Sequence, residues 1–288
     1  MGRLNSTSRR ASPGLGTTYE GGDPALIERV LPIVDYLEVT PDTLVRARDG
    51  LTFDEQAMME LENAQRHVPV IVHGIGLSIG SHDSWNEQYL RLLDEFLSRI
   101  DATWHSEHLG YTMVDGEHMG TMLALPKTHE MLDVVCDRIE KMQKRYARPF
   151  LLENIVHLLP EYPGDFTEAG FLNELSARTG CGLIIDAYNL ECDAQNYGFD
   201  VGEFCRELDW SPVSELHLAG GVEREGFWLD VHSNVTKAST LALADTLLSH
   251  CDGACQVVTF ELLREAVPVL GHDAIVDELA RLKRWLTR

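Results

Sequence analysis

Histidines and carboxylates recur in this sequence where a short hydrophobic run ends, and six runs end in this way. The residues at these ends are His73, Glu107 with His108, Glu153 with Asn154, Asp186 with Asn189, His217, and Glu261. A further segment, WLDVHSNV, adds Asp230 and His232, whose spacing puts both side chains on one side of an extended chain. Imidazole and carboxylate ligands together suit Fe(II), Mn(II) or Zn(II).

The size of this set predicts more than one metal ion. Four histidines and four carboxylates would meet in one pocket, and four carboxylates do not all stay ionised there unless cations compensate them. Eight ligands are too many for one ion and fit two or three ions with open coordination positions. Each residue alone has an ordinary explanation, such as an Asx turn at Asp230. The coincidence at six strand ends is what indicates a metal site.

The other histidines are predicted not to be ligands. His105 lies three residues before His108, so strand alternation puts it on the opposite face, where it packs or supports the site. Seven more lie in predicted helices or loops: His67, His82, His118, His129, His157, His250 and His272.

Regularly alternating strands and helices must position the ligand set. Short apolar, β-branched runs predict eight strands, at 14–20, 35–40, 69–74, 102–109, 149–155, 182–189, 214–220 and 256–263. Amphipathic segments predict eight helices, near 24–33, 54–66, 83–100, 127–147, 166–179, 199–208, 238–251 and 267–287.

This alternation predicts a single α/β domain, a closed (β/α)8 TIM barrel over 14–288, preceded by a flexible tail at 1–13. Parallel strands joined by right-handed crossovers would gather their C-terminal ends around one mouth, where barrel active sites are built. An open doubly wound sheet is the alternative. The first strand has no glycine-rich phosphate turn after it, which disfavours that alternative.

The composition limits the classes of binding partner and the cellular compartment that we expect. With 24 Lys and Arg against 46 Asp and Glu, the net charge of −22 opposes binding to nucleic acids and to anionic membranes. Six scattered cysteines without a CxxC pair indicate reduced thiols rather than a disulfide framework. No signal-peptide pattern and no apolar run of about 20 residues is present, so we expect a cytoplasmic location.

Several motifs resemble those of one family, the multinuclear non-heme iron-dependent oxidative enzymes, which includes the MbnB enzymes of methanobactin biosynthesis. The matching segments run in order from about residue 14 to 265: DYLEV, HGIGLSIGS, SEHLGY, LLENI, IIDAYN followed by NYG, ELHLAGG, LDVHSNV and FELL. HGIGLSIGS and SEHL are the most specific of them. The resemblance implies a TIM barrel related to xylose isomerases.

The resemblance also implies a metal-ligand set and an activity. The family's ligands fall on His73, His108, Glu153, Asp186, His217, Asp230, His232 and Glu261, with Asn189 as a ligand or a supporting residue. Such enzymes hold two or three irons in mixed Fe(II)/Fe(III) states. They use O2 as co-substrate to oxidise a residue, usually Cys, of a ribosomally synthesised precursor peptide (a RiPP precursor). Many act with a small leader-binding partner protein, which here would have to come in trans.

Four residues near the ligands are candidates for orienting them, and none is assigned as a catalytic base: Glu107, Asn154, Tyr188 and Ser106. Two positions depart from the family pattern. Gly221 stands where the commonest seventh-strand motif, HLAGH, has a second histidine, and Cys192 stands where an aromatic or apolar residue is more usual. Both departures are expected to alter the pocket without removing a ligand.

Three other functions remain open from the sequence. A Mg- or Mn-dependent sugar isomerase or epimerase could use the same barrel, although the strand ends offer no lysine for proton work. A three-zinc phosphodiesterase of the endonuclease IV type shares the ligand style, but the net charge of −22 argues against a DNA substrate. The third is a non-enzymatic, metal-holding peptide carrier.

Overall fold

The computed structural model of the protein describes residues 12–46, 52–83, 85–160 and 163–288. Residues 1–11 of the predicted tail lie outside these ranges. The described strands are β1 (Gly14–Thr18), β2 (Tyr36–Val39), β3 (Val70–Gly74), β4 (Ala102–His108), β5 (Gly110–Val114), β6 (Glu117–Ala124), β7 (Phe150–Glu153), β8 (Gly182–Asp186), β9 (Val213–Leu218), β10 (Val222–Arg224), β11 (Phe227–Leu229) and β12 (Val257–Phe260). The α-helices are α1 (Pro24–Val30), α2 (Glu55–Ala64), α3 (Glu87–Arg99), α4 (His129–Tyr146), α5 (Glu168–Thr179), α6 (Ala187–Tyr197), α7 (Val201–Glu207), α8 (Ala238–Cys251), α9 (Val267–Leu270) and α10 (His272–Leu286).

Eight of the strands form a closed parallel barrel. Around the barrel the order is β1, β12, β9, β8, β7, β4, β3, β2, and β1 pairs with both β2 and β12. That double pairing closes the sheet, so the predicted (β/α)8 barrel is confirmed and the open doubly wound sheet is wrong.

Strand alternation divides the hydrophobic core into two layers. One small cluster of buried side chains comes from strands all round the barrel: Ile71, Trp104, Leu151, Ile184 and Val257. Neighbouring strand residues face outward into the larger layer against the helices, where α3 contributes Leu90, Leu93 and Phe96. The polar cluster at the strand ends therefore rests on a packed apolar floor.

Most helices begin at a side chain that accepts hydrogen bonds from the first turn. Asp54 caps α2, Asn86 caps α3 and Thr167 caps α5, each satisfying backbone N–H groups that have no partner within the helix. Asn86 starts α3 a few residues later than the predicted boundary near 83. Nowhere in the described ranges is a helix both long and apolar enough to cross a bilayer.

One predicted strand, 182–189, is wrong in its last three residues. The strand ends at Asp186, whose Oδ1 accepts a hydrogen bond from the backbone N–H of Asn189 and so starts α6 directly. The sequence from Ala187 to Tyr197 contains no β-branched residue, which suits a helix. Tyr188 and Asn189 therefore lie on the first turn of a helix that the sequence did not predict.

Two hairpins and one helix break were also not predicted. β5 pairs with β6 and β10 pairs with β11, both antiparallel, in the segments that follow β4 and β9. The predicted helix at 267–287 is split at Gly271, whose φ of 77° no α-helix accommodates. Both hairpins follow barrel strands that end in predicted ligands, so they stand at the same mouth as the site.

Candidate metal centre

One carboxylate lies between the imidazoles of three strands. Glu153, at the end of β7, places Oε2 2.9 Å from Nε2 of His73 on β3 and 3.3 Å from Nε2 of His108 on β4. Its other oxygen, Oε1, lies 3.0 Å from Nδ1 of His217 on β9. Glu153 therefore presents one oxygen to each side and has the position of a bridging ligand.

A second carboxylate extends the cluster towards β11. Oε2 of Glu261, just after β12, lies 3.2 Å from Nδ1 of His217 and 3.7 Å from Nε2 of His232. His232 Nε2 in turn lies 2.7 Å from Oδ1 of Asp230. The expectation that these two residues converge through an extended segment is wrong in its geometry, because β11 ends at Leu229 and His232 has a left-handed φ of 37°.

The side-chain atoms of the candidate ligands form overlapping groups. Within each group they lie within 4.8 Å of one another: His73, His108 and Glu153; His73, His217 and Glu261; and Glu153, Asp186, His217 and Glu261. With Asp230 and His232 beyond Glu261, the set has room for more than one ion.

Many of these atoms lack a hydrogen-bond partner although they are buried. Among the residues that the structure describes, seven predicted ligands have such an atom: His73 Nε2, Glu153 Oε2, Asp186 Oδ2, Asn189 Oδ1, Asp230 Oδ1, His232 Nε2 and Glu261 Oε2. Nε2 of His73 lies only 2.9 Å from Oε2 of Glu153, but the two atoms are not aligned for a hydrogen bond. Buried polar atoms without partners are costly, and two or three cations shared among these residues would give them partners.

Hydrogen bonds on the far side of two imidazoles select the nitrogen that faces the cluster. Nδ1 of His73 lies 2.9 Å from Oγ of Ser106, whose own hydroxyl donates to the carbonyl of Val72. Nδ1 of His108 donates to the carbonyl of Gly74 at 2.9 Å. Without a metal, and against the lowering effect of burial, Glu153 raises the pKa of His73 to about 9. With a cation bound, both rings would keep their proton on Nδ1 and present an unprotonated Nε2 on the side of Glu153, as metal ligands require.

The electrostatics of the cluster are those of crowded carboxylates. Burial raises the pKa of Asp186 well above its ordinary value, and the carboxylates of Glu153 and Glu261 raise it further. Burial would also raise the pKa of Glu153, but the surrounding imidazoles hold it well below its usual range. Against the same burial, His217 and His232 lower the pKa of Glu261 to about 2. A cation would relieve the repulsion at Asp186.

The orienting candidates fall into two groups. Ser106 contacts His73 as described, and Asn154 joins β7 to α6 by accepting from the backbone N–H of Asp186 and, through its carbonyl, from Nδ2 of Asn189. Glu107 and Tyr188 do not reach the cluster in this way. Glu107 pairs with His105 at 2.8 Å on the outward face of β4, and the Tyr188 hydroxyl lies 3.5 Å from the carbonyl of Leu229.

Two buried carboxylates inside the barrel were missed by sequence reasoning. Glu38 on β2 places Oε2 3.2 Å from Nε2 of His217, and Glu215 on β9 lies 3.6 Å from the same nitrogen. Both side chains are fully buried. Burial raises the pKa of Glu38 to about 7, against the lowering effect of His217. A glutamate inside an otherwise apolar run, as in YLEV, was the available signal.

The space at Gly221 accounts for its departure from the family pattern. A Cβ atom at this position would lie 2.0 Å from the carbonyl oxygen of Leu229 and 2.6 Å from the Tyr188 hydroxyl. The β10–β11 hairpin and α6 therefore occupy the space that a second histidine would need. Cys192, the other departure, is buried beside Tyr188 and Ala219.

Solved structures similar to this chain share its fold at low sequence identity. D-psicose 3-epimerase from Clostridium cellulolyticum H10 has a TM-score of 0.60 at 12% identity, covering 96% of this chain and 99% of its own. The IOLI protein with a bound zinc atom has a TM-score of 0.62 at 13% identity, with 95% and 97% covered. Endonuclease IV from Thermus thermophilus has a TM-score of 0.57 at 14% identity, with 96% and 99% covered.

Sequence relatives cover most of the chain. A UPF0276 protein from Anaeromyxobacter sp. strain Fw109-5 is 34% identical over 214 residues, 74% of each chain. A UPF0276 protein from Caulobacter vibrioides strain NA1000 / CB15N is 32% identical over 219 residues, 76% of each. The family described as RiPP precursor modification enzyme MbnB/TglH/ChrH matches residues 14–284. This protein therefore belongs to the MbnB/TglH/ChrH family of RiPP precursor modification enzymes.

Proposed function

We propose that this protein is a multinuclear iron-dependent oxidase that uses O2 to modify a cysteine of a ribosomally synthesised precursor peptide. The observation that carries the proposal is the group of seven buried ligand atoms without hydrogen-bond partners within the described part of the chain, at the mouth of the barrel. Membership of a family that modifies RiPP precursors supplies the substrate class.

The donor set fits two or three irons. His73, His108 and Glu153 would hold one ion, and Glu153, Asp186, His217 and Glu261 a second. Asp230 and His232, 2.7 Å apart and with His232 3.7 Å from Glu261, would hold a third, and Asn189, whose Oδ1 has no partner among the described residues, would support Asp186. Mixed imidazole and carboxylate ligands suit Fe(II) and Fe(III) as well as Mn(II) or Zn(II), so the choice of iron rests on the resemblance. Bound iron would supply a Lewis acid for the substrate thiolate and electrons for the reduction of O2.

The protein's own residues contribute orientation and exclusion of water. Ser106 and the carbonyl of Gly74 hold the rings of His73 and His108 by Nδ1, so that Nε2 of each ring faces Glu153. Because Glu153 and His217 are almost completely buried, the inner part of the cluster is screened from bulk solvent. His108 is 18% exposed in its side chain, so access is from the mouth at the end of β4.

The surface near the mouth supports a peptide as substrate. A cavity of about 280 Å³ lies between the β5–β6 hairpin and the segment after β7. Its lining is mostly apolar and includes Tyr111, Leu123, Leu125, Leu158 and Leu159. β4 and β7, which end at His108 and Glu153, lead directly into the two segments that form this cavity. Apolar walls suit the side chains of a peptide better than a polar sugar.

The proposal includes two partners and a compartment: the precursor peptide, and a small leader-binding protein that acts in trans in the cytoplasm. The leader-binding partner follows from the resemblance, and the compartment follows from the cysteine pattern. Co-purification with the product of a neighbouring gene would test the partner.

Metal analysis followed by an O2-dependent reaction tests the proposal. Protein purified anaerobically and loaded with Fe(II) should contain two to three irons per chain. Exposed to O2 and to the Cys-bearing peptide encoded beside its gene, with the neighbouring leader-binding protein added, it should change the mass of the peptide. Without O2 the mass should stay unchanged. Zinc or magnesium in place of iron, with no O2-dependent mass change, would contradict the proposal and favour a phosphodiesterase or an isomerase.

A further inference from the structure

His217 is held between two layers of carboxylates, one on each ring nitrogen. Nδ1 faces outward to Glu153 at 3.0 Å and Glu261 at 3.2 Å. Nε2 faces down the barrel to Glu38 at 3.2 Å. The two nitrogens of this fully buried ring face different carboxylates on opposite sides, so only one of them can reach an ion at the mouth. In this geometry that nitrogen is Nδ1.

A neutral imidazole that binds metal through Nδ1 must carry its proton on Nε2 and donate it. Glu38 is the better placed acceptor of the two carboxylates nearby. Both oxygens of Glu215 already accept hydrogen bonds, from Nε1 of Trp104 and from Oγ1 of Thr259. Glu215 is also farther from Nε2, at 3.6 Å. Glu38 is therefore the residue that can fix the tautomer of His217.

Glu38 has little structural reason to be a glutamate. It is fully buried within the barrel, between Leu37 and Val39, which are fully buried too. Its Oε1 has no hydrogen-bond partner among the described residues. A buried carboxylate with an unsatisfied oxygen costs free energy that an apolar side chain of the same volume would not. Its other oxygen, Oε2, is the one that faces His217.

We propose that Glu38 is a positioning residue for the metal centre, which holds His217 as the Nε2–H tautomer and presents Nδ1 to the ion shared with Glu153, Asp186 and Glu261. This inference rests on the proposed function only in requiring that a metal binds. It makes His217 differ from His73 and His108, whose far-side hydrogen bonds leave Nε2 for the metal.

Anaerobic Fe(II) titration against a competing chelator tests this role with three variants. Glu38→Leu should weaken binding of one ion by about 10- to 100-fold, as loss of a carboxylate partner of a ligating histidine generally does. Glu38→Gln should stay within about threefold of wild type, because its amide oxygen still accepts from Nε2. Glu215→Gln is the matched control at similar depth, and it should leave the affinity close to that of wild type. Mössbauer spectra with ⁵⁷Fe should show one iron component altered in Glu38→Leu alone.

A measurement on the wild-type protein covers the case in which Glu38→Leu fails to fold. In protein labelled with ¹⁵N-histidine and loaded with Zn(II), long-range NMR correlations should show His217 protonated on Nε2. A proton on Nδ1, or an unchanged affinity and spectrum in Glu38→Leu, would overturn the inference alone. Metal binding without peptide oxidation would overturn the oxidase and leave Glu38 in its role. A wild-type protein that binds neither Fe(II) nor Zn(II) would overturn both.

Discussion

Replacing Asp186 by asparagine should stabilise the metal-free protein and weaken its response to metal. The amide keeps the oxygen that accepts the N–H of Asn189 and caps α6. It removes a negative charge from a fully buried group that also contains Glu153, Glu261 and His217. The variant therefore separates the cost of crowding carboxylates from their use as ligands.

The size of the effect follows from the distances. Unit charges 4.8 Å apart, the upper limit within this group, interact by about 3.5 kcal/mol at an effective dielectric constant of about 20. Two repulsive carboxylates and one attractive imidazolium leave Asp186 with a net repulsion of about 3.5 kcal/mol if all are ionised. Protonation of Asp186, whose pKa is raised, already relieves part of this. We expect a gain of about 1 to 3 kcal/mol, or about 2 to 5 °C for a chain of this length.

Thermal melts in EDTA and with added Fe(II) under nitrogen measure both effects. In wild type, metal at about 100 times its dissociation constant should add about 2.7 kcal/mol for each ion bound, and in Asp186→Asn clearly less in total. Asp193→Asn is the control, because Asp193 is also a buried aspartate but pairs with Nδ1 of His157 at 2.6 Å. It should lose about 1.5 to 3 kcal/mol, the worth of a hydrogen bond to a charged group. If Asp186→Asn in EDTA melts several degrees below wild type, as the control should, the electrostatic reasoning is refuted.

Three further predictions concern a buried pair, a close packing contact and a ligand's support. Burial lowers the pKa of His157, but its aspartate partner and a nearby glutamate raise it overall, so the stabilisation that its charged form gives is complete below pH about 6.5 and is lost as the pH rises through the folded-state pKa. The urea midpoint of wild type should therefore exceed that of His157→Gln by less at pH 9 than at pH 6. A difference that grows over this range would contradict the prediction. Gly221→Ala should lower the free energy of unfolding in urea by about 1 to 3 kcal/mol, because the new Cβ would overlap the Leu229 carbonyl. An unchanged urea midpoint would show that the β10–β11 hairpin moves to make room for it. Ser106→Ala should weaken Fe(II) binding by about 10-fold or more by removing the partner of His73 Nδ1, whereas equal affinity in a chelator competition would exclude that role.

The barrel could be predicted from the sequence because its elements are marked locally. Strands such as β3 (VIVHG) and β8 (GLIID) contain short apolar runs, and α3 repeats its buried residues Leu90, Leu93 and Phe96 at helical spacing. The two hairpins are not marked in this way. β6 is exposed or half-buried along its length, so no hydrophobic alternation distinguishes it from a loop. α6 follows β8 without a connecting segment, so the two elements merged in the predicted strand.

Glu38 shows why part of the site could not be predicted. His73 and Glu153 end their strands and are conspicuous there, whereas Glu38 is followed by a buried valine within β2. Whether such a residue faces the barrel interior or the helices depends on the strand's rotation in the closed sheet. That rotation is set by pairing with β1 and β3, which lie outside the local sequence.

The sequence by itself predicted the types of the candidate ligands and, except for Asp230 and His232, their place at the C-terminal ends of parallel strands, because strand period and chain order are local properties. Only the tertiary structure decided which of these side chains face one another. Barrel closure places Glu153 so that its two oxygens face different histidines, and a left-handed residue at His232, rather than an extended strand, turns its ring towards Asp230 and Glu261. The ring nitrogen that each histidine presents depends on partners from neighbouring strands, such as Ser106 for His73 and Glu38 for His217. Those distances are set by strand register and barrel packing, which no single segment of the sequence contains.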